Sequence, residues 1–231
     1  MVFTNRDKSL TKTHFNLLLD NYPIINVCST KFLGIWFDDD LTWKTHINNL
    51  AIKLSSYVGI FCRLSSFVPS FVLKLLYYSI IYPHLTYCIL IWGNSADYLL
   101  KKIFVIQKKF IRFILNSGSY DHTDPLFKKL DILRLHDLYI YYVGIFIFKI
   151  KNKLLSLGEH YVSFNNKACY PLRNKGNVQQ FYCRTEVRKK FIMFSSVPIW
   201  NDLPNDIVSV ASLSIFKKLL FNYLIDCVEN L

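Results

Sequence analysis

The chain has 231 residues and a mass of 27.3 kDa, and 52% of its residues are hydrophobic, 16% aromatic and 19% charged. This length can bury a substantial core without disulfide bonds, and the many large apolar residues exclude an intrinsically disordered chain. The formal net charge of +12 is unevenly spread, because residues 41–116 contain nine basic side chains and one acidic side chain. A basic, helix-rich globular protein and a membrane protein are the two classes that remain.

The first 40 residues are predicted to form short strands. The β-prone runs are residues 15–19, 24–27 and 31–37, and turn-forming residues separate them. A fourth strand could lie at residues 1–4. A sheet this small cannot cover both of its faces, so we expect it to be the end of a larger sheet.

Helical periodicity begins after Asp40. Apolar residues recur every three to four positions over residues 43–64, which predicts an amphipathic helix with Thr42 as its N-cap. A second helix is expected to begin near Ser70 and to kink or restart at Pro83. A third is predicted over residues 97–115, with a basic face opposite an apolar one.

The C-terminal half is less regular. Thr123 is predicted to cap a short helix, and a longer helix should follow over residues 135–150. Residues 156–206, interrupted by Gly, Asn and Pro, could pair as a few strands. A last amphipathic helix is expected to open at Ser212 or Ser214. The predicted fold class is therefore α+β and mostly α, with a small N-terminal β part, a helical middle and a mixed C-terminal region.

A membrane span is the main alternative to a globular protein. Residues 75–96 contain no formal charge, and these 22 residues are long enough to cross a bilayer. Pro83, His84 and Asn94 interrupt the run, so a span is the less favoured interpretation. Charged residues at positions 6–8 exclude a secretory signal, which predicts an intracellular protein of the nucleus or cytoplasm. The six Cys are irregularly spaced, so they are expected to be reduced, mostly buried thiols.

An acidic segment, residues 37–40 (Phe-Asp-Asp-Asp), fits the aromatic-x-Asp-Asp pattern that binds two metal ions in polymerases that copy RNA into DNA. That chemistry needs a further carboxylate from a neighbouring strand, and only Asp7 and Asp20 precede the segment. We therefore interpret it as an acidic turn that favours a helix N-terminus. The six His are scattered and no Gly-rich phosphate loop exists, so neither a catalytic nor a metal-binding residue is predicted.

The basic residues of the third helix are the most informative group. They could follow a phosphate backbone and bind nucleic acid in a salt-sensitive way. The alternative is the ordinary solvated face of a helix. The residues are Lys101, Lys102, Lys108, Lys109 and Arg112.

Several segments, read in order, resemble the region after the polymerase palm in reverse transcriptases of non-LTR retrotransposons of the LINE-like, jockey or CR1 type. The matching segments include residues 31–35 (Lys-Phe-Leu-Gly-Ile), 40–47, 81–88 (Ile-Tyr-Pro-His-Leu-Thr-Tyr-Cys), 106–109 (Ile-Gln-Lys-Lys) and 198–204 (Pro-Ile-Trp-Asn-Asp-Leu-Pro). The resemblance covers nearly the whole chain. It implies a palm remnant over residues 1–40, a thumb-like segment over 41–116 and a C-terminal region over 117–231.

The resemblance also implies site residues. Phe32, Leu33 and Gly34 match the primer-grip turn, where the backbone approaches the primer end, and Gly34 suits such an approach because it has no side chain. The basic residues of the thumb-like helices would contact the phosphates of a template–primer duplex. In addition to those of the third helix, they are Lys44, Lys53 and Arg63.

The catalytic aspartates of such enzymes would lie upstream of Met1, and the segment at 37–40 follows the primer grip. The sequence therefore predicts a non-catalytic, C-terminal fragment of an RNA-directed DNA polymerase that is not an enzyme on its own. The parent enzyme would use Mg²⁺ at a site that this chain lacks, so no cofactor is expected. The expected partner is an RNA/DNA template–primer duplex, and no small-molecule substrate is expected. An inert, unfolded product of a decayed element is the remaining alternative.

Overall fold

The computed structural model describes residue 1, residues 18–155 and residues 182–227. These residues are mostly helical and include two small antiparallel sheets, in agreement with an α+β, mostly α chain. In one sheet β1 (Leu18–Leu19) pairs with β2 (Tyr22–Pro23). In the other β3 (Ser29–Phe32) pairs with β4 (Ile35–Asp38), with Phe32 opposite Ile35.

The prediction of one strand over residues 31–37 is wrong, because the chain reverses at Leu33 and Gly34. Both residues have positive φ angles, 46° and 84°, which is the conformation of a two-residue turn between twisted antiparallel strands. The predicted strand at 24–27 is also absent. Within the described ranges the two hairpins form separate sheets, and the predictions for residues 2–17 lie outside those ranges. β-propensity identifies residues that suit a pleated surface and does not locate a reversal.

The helices of the middle segment agree with the amphipathic pattern. They are α1 (Lys44–Leu64), α2 (Ser70–Leu76), α3 (Tyr82–Thr86), α4 (Ile89–Trp92) and α5 (Asp97–Leu115), and a π-helical turn (Tyr77–Ile81) joins α2 to α3. A restart at Pro83 is not seen, because residues 70–86 form one uninterrupted helical run. The irregularity is instead the π-helical turn that ends two residues before Pro83, in which the Tyr82 N–H donates to the Tyr77 carbonyl. Such turns are a common site of helix distortion next to a residue that lacks an N–H donor.

The C-terminal part is also helical. It contains α6 (Asp124–Leu130), α7 (Leu135–Lys151), α8 (Glu186–Lys189), α9 (Ile192–Asn201), α10 (Asn205–Val208) and α11 (Leu213–Asp226). The predictions of α6, α7 and α11 are confirmed, and Ser212 is the residue before α11. The strands expected over 156–206 are wrong for residues 182–206. The Pro residues there belong to helices and do not bound strands: Pro198 lies inside α9, which continues to Asn201, and Pro204 directly precedes α10.

One continuous hydrophobic core connects the helices of the middle and C-terminal segments. Helix α1 packs along α5, and α7 packs against α9 and α11. The ring of Phe61 on α1 lies 4.9 Å from that of Phe110 on α5, and Phe148 on α7 stacks 4.4 Å from Phe216 on α11. Edge-to-face and offset arrangements of this kind add to the free energy gained from apolar burial.

The uncharged run at residues 75–96 does not form one helix. It is divided among α2, the π-helical turn, α3 and α4, and the backbone breaks at Cys88, which has a φ of 50°. Within the described ranges, no helix is both long enough and apolar enough to cross a bilayer.

The expectation of mostly buried thiols is wrong for the described cysteines. Cys28 and Cys62 are exposed, and Cys88, Cys183 and Cys227 are partly exposed. All five are free thiols, as the sequence predicts for a chain without a disulfide framework.

Candidate nucleic-acid interface

The turn between β3 and β4 presents apolar side chains to solvent. Phe32 is 62% exposed and Leu33 is 75% exposed. Leu33 adopts the left-handed backbone region, which costs a residue with a Cβ atom about 1–2 kcal/mol. Gly34 takes the same region freely, so its backbone angle explains why glycine suits this position.

Tyr87 fastens this turn to the helices. Its hydroxyl donates a 2.6 Å hydrogen bond to the carbonyl oxygen of Leu33, and its ring lies against Gly34. The indole Nε1 of the fully buried Trp92 in turn donates to the carbonyl of Tyr87 at 2.9 Å. We call the Tyr87–Leu33 bond the Tyr87 latch. Together with the Trp92–Tyr87 bond, it connects the exposed hairpin tip to the buried core.

We predict that Tyr87→Phe loosens the hairpin and leaves the helices intact. Loss of one hydrogen bond should lower the free energy of unfolding by about 1 kcal/mol. Amide hydrogen exchange in β3 and β4 should become faster, while exchange in α5 and α7 should stay unchanged. Tyr98→Phe, at a 61% exposed tyrosine of α5, is the matched control. Unchanged exchange in the hairpin would contradict the latch.

The carboxylates of the acidic segment accept hydrogen bonds at and just before the start of α1. Asp38 is buried, and its Oδ2 accepts a 3.2 Å hydrogen bond from the backbone N–H of Thr45. Oδ1 of Asp40 accepts from both the N–H and the hydroxyl of Thr42. Thr42 is therefore not the N-cap that the sequence predicts; Trp43 occupies that position, with a φ of 63°. A carboxylate at a helix N-terminus is favoured by the helix dipole.

These carboxylates do not fit a two-metal site. Asp38 and Asp40 already accept hydrogen bonds at the start of α1. In the part of the chain that the structure describes, no three His, Cys, Asp or Glu side chains lie close enough together to hold a metal ion.

His46 is buried behind the acidic segment, with its ring 5.8 Å from that of Trp92. Burial lowers the pKa of His46 from its usual 6.5, and the nearby Asp38 carboxylate opposes this only in part. Below pH 6.5 this histidine is therefore protonated in the unfolded chain but still largely neutral in the folded chain. Proton binding then favours the unfolded state.

We predict that the free energy of unfolding falls as the pH is lowered from 7 through 6.5 and below, and that His46→Phe reduces this fall. Phenylalanine keeps the ring against Trp92 and has no titrating nitrogen. Urea titrations at several pH values would measure the effect, with His136→Gln, at an exposed histidine, as the control. The same pH dependence in His46→Phe as in the unsubstituted chain would refute the assignment.

The five cations of α5 lie on one face. At 100° per residue they fall within an arc of about 120°, opposite the buried side of the helix. The structure gives some of them further contacts. Nζ of Lys102 donates to Asn48 Oδ1 at 3.0 Å, Lys108 lies 4.5 Å above the ring of Phe104, and Arg112 donates to the carbonyl of Asp121. Lys101 and Lys109 are exposed.

The three predicted cations of α1 are not brought together in this way. Lys44, Lys53 and Arg63 are exposed, and their spacing places them on different sides of the helix. Arg112 is half-buried and closes the loop at 118–121. The structure thus concentrates the candidate residues into two features, the hairpin tip and the exposed face of α5.

The sequence predicts no role for three residues that hold these two features in place. Tyr87 and Trp92 hold the hairpin tip, and Gln107 is a buried polar side chain on α5. Nε2 of Gln107 donates to the Tyr77 hydroxyl and to the Leu133 carbonyl, and its Oε1 accepts from the N–H of Leu135, each at 2.9 Å. The helical period places Gln107 on the apolar face, and this is the signal that could have identified it.

Comparison with known proteins relates the chain to polymerases of mobile elements. It is 25% identical over 122 residues to a probable RNA-directed DNA polymerase from transposon X-element of Drosophila melanogaster. The match covers 52% of this chain and 13% of that protein, so the chain spans a small part of its relative's length. No family model and no solved structure matches the chain. The chain is thus a distant relative of a transposon-encoded reverse transcriptase.

Proposed function

We propose that this chain is a C-terminal piece of the reverse transcriptase of a non-LTR retrotransposon. In this proposal residues 1–40 are the remnant of the palm, 41–116 the thumb and 117–231 the region that follows it. The order of the resembling segments and the distant relative support the proposal. The latched, exposed turn at Phe32, Leu33 and Gly34 suits a primer grip, because a rigid hairpin tip can be held against a nucleic acid end.

The chain by itself is proposed to be non-catalytic and to need no cofactor. Its acidic segment caps α1, so the Mg²⁺ chemistry of the parent polymerase would depend on aspartates elsewhere in that enzyme. The proposed partner is an RNA/DNA template–primer duplex in the nucleus or cytoplasm. The continuous core supports a folded product over an unfolded remnant of a decayed element.

The basic face of α5 carries the proposal. Its lysines share one side of a rigid helix, and Asp97 is the one acidic residue within α5. Lysines that contact phosphates release condensed counterions, so binding to a duplex should weaken steeply as salt is raised. Contacts to phosphates do not depend on the base sequence, so this face would bind templates of any sequence.

We predict that Lys101→Gln combined with Lys109→Gln weakens duplex binding and lowers the slope of log K against log salt by about 2. Filter-binding titrations with a primer–template duplex at several salt concentrations would measure both quantities. Lys217→Gln combined with Lys218→Gln removes the same charge from exposed positions of α11 and should leave the slope nearly unchanged. Absence of binding at low salt, or binding that is indifferent to salt, would overturn the proposal.

A further inference from the structure

A groove of about 450 Å³ lies beside the basic face of α5. One wall is formed by residues 97–108 of α5, and the other by the beginning of α7, with Gly93 between α4 and α5 completing the lining. The apolar lining residues are Leu100, Phe104, Val105 and Leu135. A volume of this size is typical of pockets for drug-sized ligands.

Two lysines border this apolar lining. Lys101 and Lys108 stand on α5 two turns apart, about 10 Å along the helix axis, on either side of Phe104 and Val105 in sequence. His136 adds a hydrogen-bonding ring on the α7 side. Arg134 is already paired with Asp137 at 2.7 Å, and Asp97 is the acidic member of the lining.

The geometry points to a site for one unpaired nucleotide of a single-stranded template or primer end. The base would enter the apolar groove against Leu100 and Val105, and the flanking phosphates would meet Lys101 and Lys108. This inference rests on the proposed function and adds to it a preference for unpaired over paired nucleic acid. Proteins that bind single strands combine cationic contact with the phosphates and stacking of bases on aromatic side chains, and Phe104 is the aromatic residue of this lining.

The groove suits a nucleotide better than a helical peptide. An amphipathic helix needs a groove whose two walls both carry anchors over several turns, whereas here three turns of α5 line one wall and Arg134, Leu135 and His136 alone line the other. Lys101 and Lys108 also belong to the face of α5 that is proposed to contact duplex phosphates. A strand that leaves the duplex along this face would therefore reach the groove directly.

The test compares three forms of one primer–template duplex by filter binding at fixed salt: blunt, with a short single-stranded overhang, and with the same overhang made abasic. We expect the overhang to tighten binding on the order of tenfold, and the abasic overhang, which keeps the phosphates, to lose most of that gain. Val105→Trp should fill the groove without changing charge, and should reduce the affinities for both overhang duplexes to the affinity that the same variant has for the blunt duplex.

Tyr98→Trp, one heptad earlier on the same face and outside the groove lining, is the matched control and should keep the preference. Val105 is 46% exposed, and an unaltered thermal transition would verify that its variant folds. Equal binding of all three duplexes would overturn the proposed nucleotide site but not the proposed duplex interface. If none of the duplexes bound, both proposals would be overturned. An acidic amphipathic peptide that binds in a way blocked by Val105→Trp, without a base-dependent gain, would also overturn the nucleotide site.

Discussion

Replacing Gln107 with Leu is expected to lower the free energy of unfolding by about 3–5 kcal/mol. The substitution removes three buried hydrogen bonds and leaves the Tyr77 hydroxyl, the Leu133 carbonyl and the Leu135 N–H without partners. Each buried polar group left unsatisfied costs about 1–3 kcal/mol. Urea denaturation followed by circular dichroism would measure the change.

The appropriate comparison is Lys109→Leu, which introduces the same side chain two residues away at an exposed position of α5. Surface substitutions of this kind usually change stability by less than about 0.5 kcal/mol. A loss below 1 kcal/mol for Gln107→Leu would show that the three bonds contribute little. The consequence for function is also specific, because Leu135 begins α7 and lines the groove, so the variant should weaken the preference for an unpaired nucleotide.

Replacing Gly93 with Ala is expected to cost about 2–4 kcal/mol. A Cβ atom at this position would lie 2.5 Å from the backbone oxygen of Ile89 and 2.5 Å from Cδ2 of Tyr139. The Tyr139 ring is itself held by a 3.0 Å hydrogen bond between its hydroxyl and that of Ser195, and burial raises its pKa. Relief of the overlap would therefore require shifts of backbone and of a packed ring, and overpacking of this kind costs about 1–3 kcal/mol or more. Thermal and urea unfolding would measure the loss.

Gly59→Ala is a comparison variant for which the expected change in the free energy of unfolding has the opposite sign. Gly59 lies inside α1, and a Cβ atom there would meet nothing within 4 Å. Alanine is favoured over glycine in an exposed helix by about 1 kcal/mol, so this variant should be slightly more stable. If both alanine variants changed stability by the same amount, the close packing at Gly93 would be disproved.

The helical part of the fold was largely predictable. The bounds of α5 agree with the apolar and basic periodicity of residues 97–115, and α1 and α7 begin and end within two residues of their predicted limits. The period of an amphipathic helix is a local property, and both faces can be identified from adjacent residues. The N-cap of α1 could not be predicted, because Asp38 reaches the helix start from the end of β4.

The residues of the candidate site were largely predictable from the sequence, but the contacts between them were not. The sequence identified the cations of α5 and, by resemblance, the turn at Phe32 to Gly34. It did not show that Arg112 holds a loop or that Lys102 contacts Asn48. Each of these roles depends on a partner brought near by packing, and no local pattern encodes such a partner.

The sequence by itself determined a basic, mostly helical chain, the limits of its main helices and its resemblance to the reverse transcriptases of retrotransposons. These features follow from composition, periodicity and ordered motifs, which are properties of neighbouring residues. Only the tertiary structure decided which residues fasten the hairpin and where a groove opens. Tyr87 and Leu33 are 54 residues apart, and Gln107 and Leu135 are 28 apart. Contacts over such separations form when apolar faces pack together, so they are decided by the whole core and not by any one segment.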